Sequence, residues 1–474
     1  MARGLKNPKK ADRKAKKRAN GESSTVPSMP AKIWQPGVDP LEEGEELQCD
    51  PSAYDRLHAF HVGWPCLSFD ILGDTLGMVR TEFPHTVYCV SGTQAEKASW
   101  NSIGIFKLSN ISGKRRDLVL GKAGGDGSDM EDSDSNSSDE EEESEENGTP
   151  YPPALQIHKI AHQGSVNLIR AMRQSPHICA SWGDTGHVQI WDFSNHLNCL
   201  AESETGVSTG ASNVVSQAPL MKFGGHKTEG FAIDWSPLVP GRLVSGDCDG
   251  RIHLWEPSSD ATWNVGKPPF DGHDLSVEDL QWSPIYSDIF SSCSVDGTVA
   301  VWDIRIGKKP AVSINAHKAD VNVISWNGHI FYSQSSYAQV YLIFVNIVPA
   351  SGIKPGDSSD TVVAHFEYHK RPITSLEWSP YQSSMLAVTS EDNQLTIWDF
   401  SLERDEEEEA EFRARMPEQV NSPEDLPPQL LFVHQGQKDM KELHWHAQIP
   451  GMIMTTASDG FDILKPSNID TTIP

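Results

Sequence analysis

Apolar and polar residues alternate twice between positions 78 and 111, over Thr86–Val90 and over Ser102–Leu108, with a turn region at Gly92 between them. That period predicts strand, loop, strand. Cys66–Leu72 has the same strand-like make-up and follows a Gly63-Trp64-Pro65 stop. Just before it, Tyr54, Leu57, His58 and His61 recur at the spacing of one helical face, which predicts a short helix packed on something larger. The stretch 272–305, GHDLSVEDLQWSPIYSDIFSSCSVDGTVAVWDIR, has a Gly-His start, a Trp282-Ser283-Pro284 corner, a small-residue run through Ser291, Ser292 and Cys293, an Asp296-Gly297 turn and a Trp302-Asp303 end. The most apolar window, Val340–Val348, falls far short of the ~20 residues that a membrane helix needs.

The stretch at 272–305 is a template. Trp302 follows His273 by 29 residues, and the pairs His162/Trp191, His226/Trp255 and His369/Trp398 repeat that spacing. An inner spacing of 9 joins His273 to Trp282, His226 to Trp235, His317 to Trp326 and His369 to Trp378. This periodicity is identified as that of WD repeats, in which each unit of ~40–45 residues is one four-stranded blade. One blade cannot bury both faces of its small twisted sheet, so blades pack radially until the ring closes. In such repeats the histidine and aspartate share hydrogen bonds with a hydroxyl and the tryptophan indole. His226, His273 and His369 are therefore expected to be structural, with no catalytic or metal role.

Two units depart from the template. In the last, Trp445 follows His434 by 11 residues and Lys465 stands where a terminal tryptophan is expected, which reads as an ordinary decayed blade. In the other, Asn346 replaces the tryptophan expected 29 residues after His317, and the Ser-rich strand and Asp-Gly turn are missing. Two accounts remain open for 328–350: a divergent blade with apolar strands, or a mis-joined coding segment. The abrupt loss of turn residues leans toward the second, and this blade should then be the least well packed. Counting gives an all-β fold, a seven-bladed propeller over 66–466 with blades near 67–111, 155–193, 219–256, 272–305, 315–350, 363–400 and 430–466. A strand near Cys66–Leu72 is expected to close the ring onto the last blade. Long insertions fall at 112–154, 196–218 and 401–429, and a short tail at 467–474.

Charge changes the picture in three places. The chain of 474 residues has a formal net charge of −27. Residues 1–32 are the opposite: between Arg3 and Arg18, Arg3, Lys6, Lys9, Lys10, Arg13, Lys14, Lys16, Lys17 and Arg18 stand against the single acid Asp12, as expected of a disordered tail that reads as a nuclear localisation signal or a polyanion-binding arm, the acidity of the rest favouring import. Residues 126–146 hold twelve acids, Asp139, Glu140, Glu141, Glu142, Glu143, Glu145 and Glu146 densest among them, with no lysine or arginine, and supply −12 of the −27. Such a segment cannot be buried and is expected to be disordered. Ser128, Ser137 and Ser138 each precede an acid by three residues, a pattern that suits acidophilic kinases, and each phosphate would add roughly −1.5 to −2. A second acid run opens the 401–429 insertion and includes Glu406, Glu407, Glu408 and Glu409. The balance argues against general nucleic-acid binding. Seven cysteines without CxxC or CxH spacing give no support for a structural zinc and read as reduced core thiols.

Longer motifs carry a resemblance. YDRLHAFHVGWPCLSFDIL is similar to the N-terminal helix and first strand of the WD-repeat histone-binding chaperones of the chromatin-assembly and retinoblastoma-binding group, and the resemblance implies that residues 33–65 form a helix helping to shape a groove for a histone helix, with Tyr54, Leu57, His61 and Trp64 as contacts. The basic tail, WPCLS, PHTVYCVSGTQ, the acidic loop, HICASWGDTGHVQIWD and FEYHKRPITSLEWSP together resemble the glutamate-rich WD-repeat family of ribosome-assembly and histone-binding proteins. That resemblance covers nearly the whole chain. It implies a nuclear and nucleolar chaperone, shuttling with the cytoplasm, that binds large-subunit ribosomal protein number three and, in some members, core histones.

The residues themselves suggest an electrostatic mechanism, in which the acid runs compete with nucleic-acid phosphates for a basic client while the propeller supplies docking geometry. A second role is expected from Trp302-Asp303-Ile304-Arg305, which resembles the box through which some WD proteins dock on the adaptor of a cullin-RING ubiquitin ligase; Asp303 and Arg305 go beyond what a blade needs. With no phosphate loop, nucleophile elbow or isolated carboxylate pair, enzymatic activity and a cofactor are not expected.

Overall fold

The computed structural model describes residues 34, 35, 39, 47–112, 152–203, 214–258, 262–327, 342–345, 368–402 and 426–469. The tail 1–32, both acid runs, the three candidate phosphorylation sites and the lysines and arginines of the localisation signal lie outside the described residues.

The chain opens with β1 (Tyr54–Phe60). Blade 1 follows as β2 (Cys66–Leu72), β3 (His85–Thr93), β4 (Ser102–Ile111) and β5 (Ala154–Ala161). Blade 2 is β6 (Val166–Met172), β7 (Ser175–Gly183), β8 (His187–Asp192) and, after helix α1 (Ser194–Glu202) and the short β9 (Val214–Val215), which joins the edge of blade 1, β10 (Met221–Phe223). Blade 3 is β11 (Ala232–Trp235), β12 (Leu243–Gly246) and β13 (Arg251–Pro257), with its outer position shared by β14 (Trp263–Val265) and β15 (Phe270–Asp271). Blade 4 is β16 (Val277–Trp282), β17 (Ile289–Ser294), β18 (Thr298–Asp303) and β19 (Val312–Asn315). The fifth position holds β20 (Val323–Trp326) and β21 (Leu342–Val345). Blade 6 is β22 (Ile373–Trp378), β23 (Met385–Ser390), β24 (Gln394–Asp399) and β25 (Leu430–Gln435), and blade 7 is β26 (Met440–Trp445), β27 (Ile453–Ala457), β28 (Gly460–Pro466) and β1.

The inner strands β2, β6, β11, β16, β20, β22 and β26 pack each on the next, and β26 packs back on β2, so the ring closes. Among the described residues six blades are complete rather than the expected seven, because the fifth position is a two-stranded sheet. The mismatched repeat at His317 is the one that falls there.

Two sequence expectations are corrected. Residues 54–61 are not a helix: β1 pairs antiparallel with β28, from Tyr54 opposite Pro466 to Phe60 opposite Phe461. The last blade lacks an outer strand of its own, and the open edge of β28 offers β1 a ladder of backbone hydrogen bonds in place of those within a helix. A register shift between Tyr54 and Arg56 breaks the two-residue alternation, so the strand period was not visible. The ring is therefore closed by Tyr54–Phe60, while Cys66–Leu72 is the inner strand of blade 1. Each blade is also offset from the repeat as read: the outer strand β19 of blade 4 comes after the Trp302-Asp303 end, from the start of the next unit.

Small residues in the second strands have a packing reason. Ser291, Ser292, Cys293 and Ser294 in β17 are fully buried. A Cβ on Gly92 of β3 would lie 2.2 Å from Val166 Cγ1 of the next inner strand, so the blades meet there only because the side chain is missing.

Candidate functional site

The repeat histidines are scaffold. In blade 3, His226 Nδ1 lies 2.8 Å from Asp247 Oδ2 and Nε2 lies 2.8 Å from Ser245 Oγ, which also accepts from Trp255 Nε1 at 2.9 Å. Blade 4 repeats the arrangement with His273, Asp296, Ser292 and Trp302. Blade 6 keeps it with a substitution of source: Thr396 of the third strand supplies the hydroxyl that His369 and Trp398 share. Burial holds the His273 imidazole below its ordinary range, with Asp296 acting against that shift. Among the described residues no group of three or more histidines, cysteines and carboxylates could hold a metal, and no helix is long and apolar enough to cross a membrane.

These bonds also define two faces. His273 precedes β16 and Asp296 lies between β17 and β18, so connections from outer to inner strand and from second to third strand share an upper face. On the lower face the Ile304 N–H, after β18, donates to the Asp288 carbonyl before β17.

The four residues expected as helix contacts are split by the strand. Tyr54 is buried, its hydroxyl 2.8 Å from His434 Nδ1 inside blade 7, and Leu57 is half-buried beside the same core. His61 and Trp64 reach the upper face, where Trp64 is 37% exposed. It stacks on Trp100, 45% exposed, with ring centroids 5.8 Å apart, and Lys97 Nζ stands 4.2 Å over the Trp100 ring. Trp100 was missed because only the closure of blade 7 beside blade 1 brings it to Trp64.

Asp303 and Arg305 do form a unit. The Arg305 Nε and Nη2 donate to the two carboxylate oxygens of Asp303 at 2.8 and 2.6 Å, and the guanidinium side chain is 64% exposed on the lower face. The hydrogen bond from Arg305 holds the Asp303 carboxyl at about 2.

A network that the sequence reading missed runs round the inner strands. Carboxylates accept backbone N–H groups of the next blade: Asp70 from Ala171, Asp234 from Trp282 at 2.6 Å, Asp279 from Ile324, Glu377 from Trp445 and Glu442 from Phe69. Arg170 pairs with Glu442, and His444 sits 3.0 Å from Glu377. Burial alone would lower the His444 imidazole, but hydrogen bonds and charge from Glu377 and Glu442 raise it to about 10. Burial likewise opposes ionisation of Glu442, yet Arg170 outweighs it and brings the carboxyl to about 2. The available signal was an acid directly before the inner tryptophan, as in Asp234-Trp235 and Glu377-Trp378.

The third-to-outer connections, all on the lower face, carry the chain's long insertions. The chain leaves blade 1 after Ser112 and re-enters at Pro152, and leaves blade 6 after Leu402 and re-enters at Leu426. The described ends of the two segments that hold the acid runs thus lie on one face.

Comparison with known proteins agrees with this architecture. Residues 44–112 match the family of the histone-binding protein RBBP4 and its counterpart in the CAF1 complex. Residues 266–303 and 360–399 match the WD domain, G-beta repeat. The chain is 62% identical to Protein HEAT STRESS TOLERANT DWD 1 of Arabidopsis thaliana over 474 residues, covering 100% of this chain and 99% of that one. It is 38% identical to Ribosome assembly protein rrb1 of Schizosaccharomyces pombe over 92% of this chain and 85% of that protein. It is 42% identical to Glutamate-rich WD repeat-containing protein 1 of Dictyostelium discoideum over 93% and 86%.

Proposed function

The chain belongs to the glutamate-rich WD-repeat family that includes these ribosome-assembly proteins, and from that premise we propose that it is a non-enzymatic nuclear and nucleolar chaperone for a basic client. The client is a large-subunit ribosomal protein, number three of that series, with core histones as further clients through the 44–112 region. The observation that carries the reading is that the segments containing the acid runs leave and rejoin a closed ring at third-to-outer connections of one lower face. A lysine- and arginine-rich client otherwise binds RNA or DNA through phosphates and releases counterions. Carboxylates held on a rigid ring compete for the same cations, and the correct RNA site takes the client when it binds better. Mass spectrometry of what co-purifies with the full chain at moderate salt tests this: the ribosomal protein or histones support it, and their absence contradicts it.

A second reading rests on the exposed Asp303–Arg305 pair on that same face and on the relative whose name includes DWD. The pair, acting as one charged corner, docks the adaptor of a cullin-RING ligase and makes the chain a substrate receptor. Arg305→Glu then abolishes adaptor co-purification and spares the client. An unchanged adaptor pull-down dismisses this role.

A further inference from the structure

Beneath the seam where blade 7 meets blade 1, the fold gathers basic side chains, charged arginines and a lysine beside neutral histidines, whose N–H groups it does not fully pair. Arg56 of β1 is 4% exposed, and its Nε and Nη1 have no hydrogen-bond partner. Arg80, in the connection between β2 and β3, donates Nη2 to Asp74 and Nη1 to the Thr86 carbonyl, but its Nε is unpaired. His446, 2% exposed in the connection after β26, has an unpaired Nε2. Lys465 reaches only Asp55, at 3.6 Å. Burial and the charges of Arg56, Arg80 and Lys465 push His85, in their midst, down to about 4, and burial with Arg80 and His85 pushes His446 to about 3. Burial lowers Arg56 itself to about 10, with Asp55 acting against that shift, so its guanidinium stays charged at neutral pH.

A buried guanidinium with unmade hydrogen bonds is costly, and a carboxylate or phosphate oxyanion is an acceptor that the planar guanidinium pairs with well. The lower end of the site is covered by Phe83, whose ring centroid lies 3.7 Å from the Arg56 guanidinium carbon and which is itself 45% exposed.

We infer that Arg56, Arg80 and His446 form an oxyanion-binding site beneath the blade 7–blade 1 seam, with Phe83 as its movable cover. The site is local, opposite in sign to the net charge, and goes beyond the client-binding role proposed for the acid runs. Its oxyanion has two sources, a phosphate or phosphoryl group from outside and the carboxylates of the sequence that follows Ser112; the carbonyl of Ser112 accepts from His58 on the same strand as Arg56.

Titration of the full chain with inorganic phosphate at constant ionic strength, followed by calorimetry, tests the site. Saturable binding at one site is expected, weakened at least tenfold by Arg56→Met. Phe83→Ala removes the cover and its contact with the guanidinium while Arg56 stays in place, so it keeps the test open if the arginine variant does not fold; it should bind phosphate at least as tightly as wild type. Absence of saturable binding in both wild type and Phe83→Ala overturns the inference, as does binding unchanged in a folded Arg56→Met. Repeating the titration with 113–151 replaced by a short glycine–serine linker separates the sources. Tighter phosphate binding there identifies the chain's carboxylates as the resident competitor, and equal binding identifies an external oxyanion.

Discussion

Blade 4 and the fifth position occupy adjacent places in one ring and are built on the same opening, a Gly-His or Ala-His followed nine residues later by a tryptophan. Blade 4 carries four strands, and its first three are tied by Ser292, which serves both His273 and Trp302. The fifth position shows β20 and β21 alone among the described residues, and Asn346 stands where the tryptophan of the network belongs. β20 nevertheless keeps its inner-ring bonds: Ile324 N–H to Asp279 at 3.1 Å and Trp326 Nε1–H to the Gln281 carbonyl at 3.1 Å. The difference separates two layers of the design. The inner ring is held by carboxylates reaching across to the next strand, whereas the first three strands of blades 3, 4 and 6 are tied by each blade's own histidine, hydroxyl and tryptophan; blades 1 and 7 reach four strands without that set.

If that separation is right, the largest effect comes from Trp302→Ala, which removes a fully buried indole and should cost about 3–5 kcal/mol in equilibrium denaturation. Ile324→Ala in the fifth position should cost about 2 kcal/mol, the low end for a buried aliphatic residue, and an equal loss at the two sites breaks the comparison. Ser292→Ala should cost about 1–3 kcal/mol, since it strands two buried donors or acceptors at once; a neutral result would mean that the shared hydroxyl does not organise the blade. The inner ring is probed by pH. Burial raises Asp234 from 3.8 to about 7, so the folded state keeps a proton that the unfolded state releases, and stability from this group is full below about pH 4 and lost as pH rises through about 7. Asp234→Asn keeps an oxygen for Trp282 N–H and removes the titration. Relative to wild type it should therefore gain on the order of 3 kcal/mol between pH 4 and pH 7, and a flat difference contradicts the assignment. The smallest effect belongs to Arg305→Glu, which should leave the unfolding midpoint unchanged because the corner supports no core.

Blades 3, 4 and 6 were legible in the sequence because the network that ties them uses rare residues at fixed spacing: His226, His273 and His369 each located a complete blade and its tryptophan. The same rule exposed the unit at His317. β1 was misread because its hydrogen-bond partner lies some 400 residues away in β28 and its bulge at Tyr54–Arg56 hides the alternation. That error carried the expected contacts with it, leaving Tyr54 in the core and Trp64 on the surface beside Trp100. The inner carboxylates were visible as residues but not as a ring, since Asp234 acts on Trp282 and Glu442 on Phe69 only once the ring is closed. The Arg56, Arg80 and His446 cluster draws on three separate segments and has no sequence signature at all.

The central claim is that acid runs hung from the lower face compete with nucleic acid for a basic client. The direct test is the affinity of the full chain for the purified ribosomal protein, measured against salt, beside a chain lacking residues 126–146. The account predicts binding that weakens steeply with salt, and a marked loss of affinity at low salt in the shortened chain. Equal affinity of the two chains at low salt would contradict it.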